Sequence, residues 1–357
     1  MRTGATRSIA LIFGLLLGLL AVSRAGEASG IMNLPKWWTA TGGLEPIVKH
    51  RVVRILVPFS KTQFFADKTQ VFGITAETGR LLEKELNKHY GRGRGFNIRV
   101  EFLPTRRDRL LEELIAGHGD IAAGSLTITP ERAAMVDFLD PWVTGIKEVM
   151  VIGPSSPSLS SLDDLSDKEI CVRKSSSYFT HLTALSSDFV ARGLAPIQIR
   201  PIPEDLEDED LMEMVNAGLL PYVVVDDFKA KIWATIFTKL TVRDDLAVNS
   251  SGSIAWAIRK NSPLLRAELN RFVAANKIGT QFGDLMKQRY FTDNTILKTA
   301  LAPKDIARFD NLLATFKHYG DQYKIDSLLL TAQGYQESQL DQTKHSPFGA
   351  VGIMQLL

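Results

Sequence analysis

The feature of this sequence that most constrains its fold is a regular alternation of strand-like and helix-like segments from residue 51 to about residue 272. Short apolar and β-branched runs predict strands at 52–57, 97–102, 121–124, 147–152, 170–172, 198–201, 222–225 and 254–258. Amphipathic stretches between them predict helices at 75–89, 108–116, 130–136, 178–192, 208–217 and 263–275. Such alternation is typical of an α/β fold with largely parallel sheets.

Turn signals and the end of the strand pattern indicate how the chain is organised. The segment Pro154-Ser-Ser-Pro157 is a turn-rich break that predicts two lobes with a cleft between them. Beyond residue 276 only helices are expected, at 305–319 and 326–338, which indicates a second, all-α domain. We therefore expect a linker over 26–50, an α/β domain over 51–275 with a break near 153–158, and an all-α domain over 300–357. The chain stops without a terminating signal, so we expect that domain to be truncated.

The N-terminus has the pattern of a secretory signal. Arg2 and Arg7 precede an apolar run of 14 residues over 9–22, and a small-x-small triplet at 23–25 suits signal peptidase. A 14-residue helix spans about 21 Å, less than a hydrocarbon core of about 30 Å, which favours a signal peptide over 1–25 rather than a permanent anchor. A single cysteine, Cys171, suits export without structural disulfides. We expect a periplasmic location, with peripheral association at the outer membrane left open.

Composition excludes several classes of function. The chain has 42 Lys and Arg against 40 Asp and Glu, so its net charge of +2 does not indicate binding to nucleic acid. One cysteine and the absence of a histidine pair at ligand spacing argue against zinc, and no cofactor or metal is expected. The acidic run over 204–210 is interpreted as favourable charge before a helix rather than as a metal site.

The first candidate site centres on Arg132. Thr129 and Pro130 are a favourable N-cap and first helical residue, which places Arg132 in the first helical turn. A cation there opposes the helix macrodipole by about 0.3–1 kcal/mol, so another reason for its presence is expected. Its guanidinium could grip a carboxylate, with the hydroxyls of Ser125 and Thr127 as further donors. Pairing with a surface acid is the alternative.

A family resemblance supports this interpretation of the first lobe. From Asp120 to Trp142 the sequence reads D-I-x-x-G-x-x-T-I-T-x-E-R-x-x-x-V-D-F-x-D-P-W. This pattern closely resembles the amino-acid-binding family of periplasmic solute-binding proteins, which have two α/β lobes that close on a ligand about a hinge. The resemblance implies that Ser125 and Thr127 contact the ligand and that Arg132 holds its α-carboxylate.

The same resemblance extends to the second lobe. Residues 172–178 resemble the family's helix-start loop, which implies that Ser176 and Ser177 donate to the same carboxylate. Residues 223–227 resemble the strand end whose first aspartate, here Asp226, takes the α-amino group. Simple N-capping is the alternative for both serines, and capping of the next helix is the alternative for Asp226.

The second candidate site is one carboxylate on a predicted helix. Leu330, Gly334 and Glu337 fall on one helix face at i, i+4 and i+7, which predicts that the glutamate points partly toward apolar surroundings. Partial burial raises the pKa of a carboxyl group, as a general acid requires near neutral pH. A solvated surface glutamate is the alternative when Glu337 is considered alone.

The residues after Glu337 favour a catalytic role over a solvated surface position. Glu337-Ser338 is followed by S-x-x-G-A-x-G-x-M-Q from Ser346 to Gln355. Together these motifs resemble the lytic transglycosylases, whose lysozyme-like helical domain cleaves the MurNAc–GlcNAc bonds of peptidoglycan. The resemblance implies that Glu337 is the sole catalytic acid/base and that the product is a 1,6-anhydro sugar. Ser346, Gly349 and Gln355 would line the glycan cleft, although the glycines could simply set a turn.

The order of these segments resembles the membrane-bound lytic murein transglycosylase F group. The sequence therefore predicts an exported lytic transglycosylase with peptidoglycan as its partner, regulated by a module that binds an amino acid or a muropeptide. A non-enzymatic periplasmic binding protein for transport or sensing is the alternative. Whether this chain is itself an enzyme stays open, because the predicted catalytic domain is short.

Overall fold

The computed structural model describes residues 42–295 except 68–69 and 92–96, and then 297, 315–316, 318–320, 322–325, 330, 337–338, 342–346 and 349–356. The predicted signal peptide and the first part of the predicted linker lie outside the described residues. Within the described residues, no helix combines the length and the apolar character needed to cross a bilayer.

The α/β character predicted from the alternating pattern is confirmed. The helices of residues 42–291 are α1 (Leu44–His50), α2 (Ile74–Tyr90), α3 (Leu110–Ile115), α4 (Pro130–Met135), α5 (Ser177–Ala191), α6 (Asp208–Asn216), α7 (Asp227–Ala234), α8 (Pro263–Asn276) and α9 (Gln281–Phe291). The strands are β1 (Val52–Val57), β2 (Phe65–Asp67), β3 (Gln70–Phe72), β4 (Arg99–Pro104), β5 (Ile121–Thr127), β6 (Asp137–Phe138), β7 (Val143–Ile152), β8 (Glu169–Arg173), β9 (Gln198–Ile202), β10 (Tyr222–Asp226) and β11 (Thr241–Ile258). Short 3₁₀ turns lie at Arg107–Arg109 and Leu162–Leu165.

The largest sheet is mixed rather than parallel. Its strand order is β10-β7-β11-β5-β1-β4, with β6 also paired to β11. Strand β1 is parallel to β4 and β5, and β8 is parallel to β9 in a separate pair. In contrast, β11 is antiparallel to β5, β6 and β7, and β10 is antiparallel to β7. The prediction of largely parallel sheets is thus wrong for the strands around β7 and β11.

Two separate groups of apolar cores show how the chain is divided between the lobes. The core of lobe 2 is built mainly from residues 149–246, whereas the cores of lobe 1 take residues from 47–139 and again from 255–273. The chain therefore crosses between the lobes twice, along β7 and along β11. The turn-rich break at 153–158 follows β7 and lies within lobe 2, so the first crossing comes before the predicted position. Only the last part of β11 was predicted, because its first part, T-V-R-D-D-L-A-V-N-S-S, alternates poorly and is rich in polar residues.

The segments before and after the predicted α/β domain pack against it. Residues 44–50, which were expected to belong to a linker, form α1, and Ile47 is buried in a core of lobe 1. Among the described residues of the predicted all-α domain, Phe316 and Ile353 are buried in the apolar cluster of lobe 2. The described part of that segment therefore rests on lobe 2.

Candidate functional site

Arg132 joins the two lobes through backbone carbonyls. It lies in the first turn of α4, where the Thr129 hydroxyl caps the helix by accepting its backbone N–H at 3.3 Å. Its Nη1 donates to the Thr127 carbonyl of lobe 1 at 2.8 Å, and its Nη2 donates to the Ser175 carbonyl of lobe 2 at 2.7 Å. Burial, followed by the neighbouring Arg107, lowers the pKa of Arg132. The position of Arg132 in the first helical turn was predicted correctly. Its guanidinium is half-buried and is held by two backbone carbonyls, which carry no charge.

Ser125 and Thr127 lie at the end of β5. Within the described residues, neither side chain forms a hydrogen bond with Arg132. Ser125 has a left-handed backbone with φ of 51° and lines a cavity of about 380 Å³ between the lobes. Thr127 is buried, and its carbonyl is the atom that contacts Arg132. The structure therefore brings these three predicted residues to one edge of β5 and leaves their ligand contacts a prediction.

The two predicted serines of lobe 2 have partners within that lobe. Ser176 is the N-cap of α5, since its hydroxyl accepts the Phe179 N–H at 3.2 Å and donates to the Arg173 carbonyl at 2.7 Å. The Ser177 hydroxyl donates to the buried Glu148 carboxylate at 2.7 Å. Capping, the alternative considered for both serines, is what the structure shows for Ser176.

Asp226 is paired by a lysine of its own chain. It ends β10 with an exposed fraction of 1%, and it makes no side-chain cap to α7. The Lys229 ammonium lies 2.8 Å from its Oδ2, whereas its Oδ1 has no hydrogen-bond partner in the part of the chain that the structure describes. Burial outweighs Lys229 and raises the pKa of Asp226. Lys229 therefore takes the place that the resemblance gives to a ligand's ammonium group.

Asp208 is the centre of a buried charge network that sequence reasoning missed. Its carboxylate accepts hydrogen bonds from Lys229 at 2.7 Å and Tyr178 at 3.0 Å, and it forms an ion pair with Arg173. Burial alone would raise the pKa of Asp208, but Lys229 and Arg173 outweigh it and hold that pKa well below its usual range. The network fills the polar side of lobe 2 that faces lobe 1.

The acidic run over 204–210 has a further role beyond the one predicted. The run precedes α6 as predicted, and Glu207 and Asp210 form a capping box there. Glu207 also accepts hydrogen bonds from Nε and Nη2 of Arg107 of lobe 1, the shortest at 2.6 Å, so the run forms part of the contact between the lobes. In the described ranges, no cluster of three or more His, Cys, Asp or Glu side chains could hold a metal ion.

A second inter-lobe contact joins the loop after β1 to α6 and α7. The Lys61 backbone N–H donates to Glu209 Oε1 at 2.6 Å, and the indole nitrogen of Trp233 donates to the Thr62 hydroxyl at 3.2 Å. Burial, followed by the carboxylates of Glu207 and Asp210, raises the pKa of Glu209 to about 7. This contact is therefore sensitive to pH near neutrality.

We expect the burial of Glu209 beside Glu207 and Asp210 to destabilise the protein more at alkaline than at acidic pH. A carboxyl whose pKa rises from 4.5 to about 7 on folding contributes stability that is fully present below pH 4.5 and is lost as the pH rises through 7. The thermal midpoint should fall by several degrees between pH 5 and pH 8, and Glu209→Gln should remove much of that fall. Equal pH slopes for wild type and variant in calorimetry would contradict this.

Glu337 is exposed in the helix that carries it, so the predicted partial burial is wrong. Lys344 donates to the backbone carbonyl of Glu337 at 3.1 Å. The next residue, Ser338, has an exposed fraction of 2% and donates to the Ile353 carbonyl at 2.8 Å. These two hydrogen bonds hold the Glu337-Ser338 pair against the turn that contains the second half of the motif.

The predicted glycan-binding residues form one compact turn. The Ser346 hydroxyl accepts the Ala350 N–H at 3.0 Å, and Gly349 has a left-handed backbone with φ of 91°. The Gln355 side-chain amide donates to the Lys344 carbonyl at 3.1 Å. The glycine thus serves the turn, as the alternative proposed, and a glycan contact by Ser346, Gly349 or Gln355 stays a prediction.

Two α/β lobes, crossed twice by the chain and joined at a polar interface, define the chain as a protein of the two-lobed periplasmic-binding-protein fold. The sequence profile of the bacterial extracellular solute-binding proteins, family 3, matches residues 53–293, and the chain belongs to this family. Similar solved structures include an ancestral amino-acid-binding protein that is a precursor of cyclohexadienyl dehydratase, with 25% identity and a TM-score of 0.53 over 70% of this chain and 99% of that one. Another is an amino-acid transporter substrate-binding protein from Streptococcus pneumoniae bound to L-arginine, with 20% identity and a TM-score of 0.55 over 69% of this chain and 97% of that one.

The chain is also similar to longer proteins. Relatives named membrane-bound lytic murein transglycosylase F occur in Desulfosudis oleivorans, with 26% identity over 79% of this chain and 61% of the relative, and in Pseudomonas fluorescens, with 27% identity over 90% and 66%. The relative from Ectopseudomonas mendocina is 25% identical over 95% of this chain and 66% of its own length. The chain thus spans less than two thirds of the length of these curated relatives.

Proposed function

We propose that the protein is an exported peptidoglycan lytic transglycosylase whose solute-binding lobes regulate cleavage by binding an amino acid or a muropeptide. One observation carries the proposal: the similarity to the relative from Ectopseudomonas mendocina covers 95% of the chain and must extend well past residue 293, where the solute-binding family match ends. Because only about 5% of the chain lies outside this similarity, it includes Glu337 and Ser338. Cleavage and sensing would then reside in one chain.

Glu337 would perform both proton transfers of the reaction. As the acid, it protonates the glycosidic oxygen while the C1–O bond breaks; as the base, it then accepts the proton of the sugar's own 6-hydroxyl, which attacks C1 and closes the 1,6-anhydro ring. No water enters the product, so the second carboxylate usual in glycoside hydrolysis is not required. The exposed position of Glu337 leaves its carboxylate accessible to a glycan strand.

The solute-binding lobes would supply the regulatory input. Arg132 is a half-buried cation that spans both lobes, so a ligand that displaces its carbonyl partners changes a contact between the lobes. A guanidinium in this position suits a ligand with a carboxylate group bound between the lobes. The proposed location is the periplasm, with peripheral association at the outer membrane.

The proposal is tested by the chemistry of the products. Purified peptidoglycan sacculi are incubated with the full chain, and the released fragments are analysed by mass spectrometry. We expect fragments that end in 1,6-anhydro-MurNAc, which are lighter by one water than hydrolysis products. Fragments with reducing ends would indicate a hydrolase. Ligand binding without any released fragment would favour the alternative of a non-enzymatic binding protein.

A further inference from the structure

The polar side of the cleft is already occupied by groups of the chain itself. Lys229 pairs with Asp226 at 2.8 Å, and carbonyl oxygens hold both terminal nitrogens of Arg132. A free amino acid would have to displace Lys229 from a buried position before its ammonium group could reach Oδ2 of Asp226. Displacing a buried ion pair leaves a charge without its partner, which is costly. The present arrangement therefore disfavours ligands whose main anchor is a free ammonium group.

The open space lies beside this polar side and is mostly apolar. The cavity of about 380 Å³ has a size typical of small-molecule sites. Its walls come from both lobes, from the crossing strands and from α9, and they include Ile146, Trp256, Phe282, Met286 and Phe291. A ligand here would contact both lobes and the strands that connect them.

Two buried donors in the wall of this cavity lack acceptors. Gln63 has an exposed fraction of 4%, and its Oε1 is engaged by the Thr75 hydroxyl at 3.3 Å, whereas its Nε2 has no partner among the described residues. The indole nitrogen of Trp142 likewise has no hydrogen-bond acceptor within the described part of the chain. Buried donors are rarely left unmatched, so a ligand with acceptor oxygens is the occupant that these walls favour. Both residues line the cavity, and their donor atoms lie enclosed in its wall.

The rim of the cavity holds one ammonium group that has no carboxylate partner among the described residues. Lys231 lines it from α7, and its ammonium is shared between Asp227 at 3.1 Å and Asp244 at 3.2 Å. Lys287 lines it from α9, is exposed, and has no ion-pair partner among the described residues. An anionic group on the ligand would find its counter-ion there, whereas a second cation would not.

We propose that this cavity binds carboxylates that have an apolar body and no free ammonium group, such as N-acylated apolar amino acids. The acyl and carboxylate oxygens supply acceptors for Gln63 and Trp142 and a counter-ion for Lys287, and the apolar body fills the remaining space. The inference names the ligand class of the proposed sensing module and rests on that module being a receptor. It does not depend on cleavage of peptidoglycan.

Titration calorimetry of the full chain with three matched ligands tests the ligand class. We expect N-acetyl-L-phenylalanine to bind at least ten times more tightly than L-phenylalanine, which has the ammonium group, and than N-acetyl-L-phenylalaninamide, which lacks the carboxylate. Equal or tighter binding of L-phenylalanine would overturn the inference, as would the absence of heat with all three. Because no glycan is present, these results are independent of whether the protein releases anhydro products.

Three variants locate the binding. Ile278 is half-buried in the cavity wall, and Ile278→Trp should fill the space and abolish binding. Leu285→Trp introduces the same side chain at an exposed position of α9 outside the cavity and should bind as wild type does. Gln63→Glu keeps the shape but replaces the donor by a carboxylate, so binding should weaken at least tenfold. Unchanged binding in both cavity variants would overturn the assignment.

Discussion

The Asp208→Ala variant is expected to be about 3–5 kcal/mol less stable than wild type, because it removes one partner of a buried ion-pair cluster. Asp208 has an exposed fraction of 2% and is the shared counter-ion of Arg173 and Lys229. Its loss leaves the Arg173 charge inside lobe 2 without a carboxylate, and it also removes the acceptor of the Tyr178 hydroxyl. Urea unfolding at neutral pH measures the effect as a lower midpoint with an unchanged slope.

A surface ion pair provides the matched control for Asp208. Asp163 pairs with Arg192 at 2.7 Å, but both side chains are about half exposed. Asp163→Ala should therefore lower the urea midpoint far less than Asp208→Ala does. Adding Arg173→Met to Asp208→Ala should recover part of the loss, since it removes the cation that is left without a carboxylate, whereas Lys229 keeps its ion pair with Asp226. Equal losses for Asp208→Ala and Asp163→Ala would show that the buried network does not contribute as described.

The Glu337→Gln variant is expected to release anhydro products at least about a hundred times more slowly than wild type, since general acid–base catalysis contributes about that much or more. The amide keeps the size of the side chain but can neither protonate the glycosidic oxygen nor accept the proton of the 6-hydroxyl. Glu337 is exposed, so folding should be unaffected, and the thermal midpoint should match that of wild type. The rate is measured as anhydro ends released from sacculi per unit time.

Glu101→Gln is the control for this substitution. Glu101 is an exposed carboxylate on the edge strand β4, far in sequence from the motif, and it undergoes the same change from acid to amide. Its activity should equal that of wild type. A similar loss of activity in both variants would point to a general effect of surface charge on binding to sacculi.

Local signals in the sequence predicted the parts of the fold and site that depend on neighbouring residues. Thr129 and Pro130 were enough to place Arg132 in the first turn of a helix, and the structure shows that cap. The strand β10 and the position of Asp226 at its end also followed from a short apolar run. Each of these features is set by interactions within a few residues, which is the range over which a sequence pattern is informative.

The partners of those residues depend on contacts that have no local signature. Arg107 and Glu207 are 100 positions apart, and nothing near either residue predicts that they pair across the lobes. Lys229 lies only three positions from Asp226, at a helical spacing that could have suggested their pairing. The cavity was not predicted, because its walls come from residues between Gln63 and Phe291. Burial of Glu337 was wrongly expected, because helix periodicity shows which side chains share a helix face but not whether another part of the protein packs against that face.

Cells that produce the protein from its own gene allow the role of Glu337 to be tested on intact peptidoglycan. Muropeptides are extracted, and 1,6-anhydro ends are counted by mass spectrometry for wild type, Glu337→Gln, Glu101→Gln and a gene deletion. If the protein is a lytic transglycosylase with Glu337 as its acid/base, Glu337→Gln should lower the count to the level of the deletion, whereas Glu101→Gln should leave it unchanged. Wild-type levels of anhydro ends in the Glu337→Gln strain, together with a reduced count in the deletion, would contradict the claim.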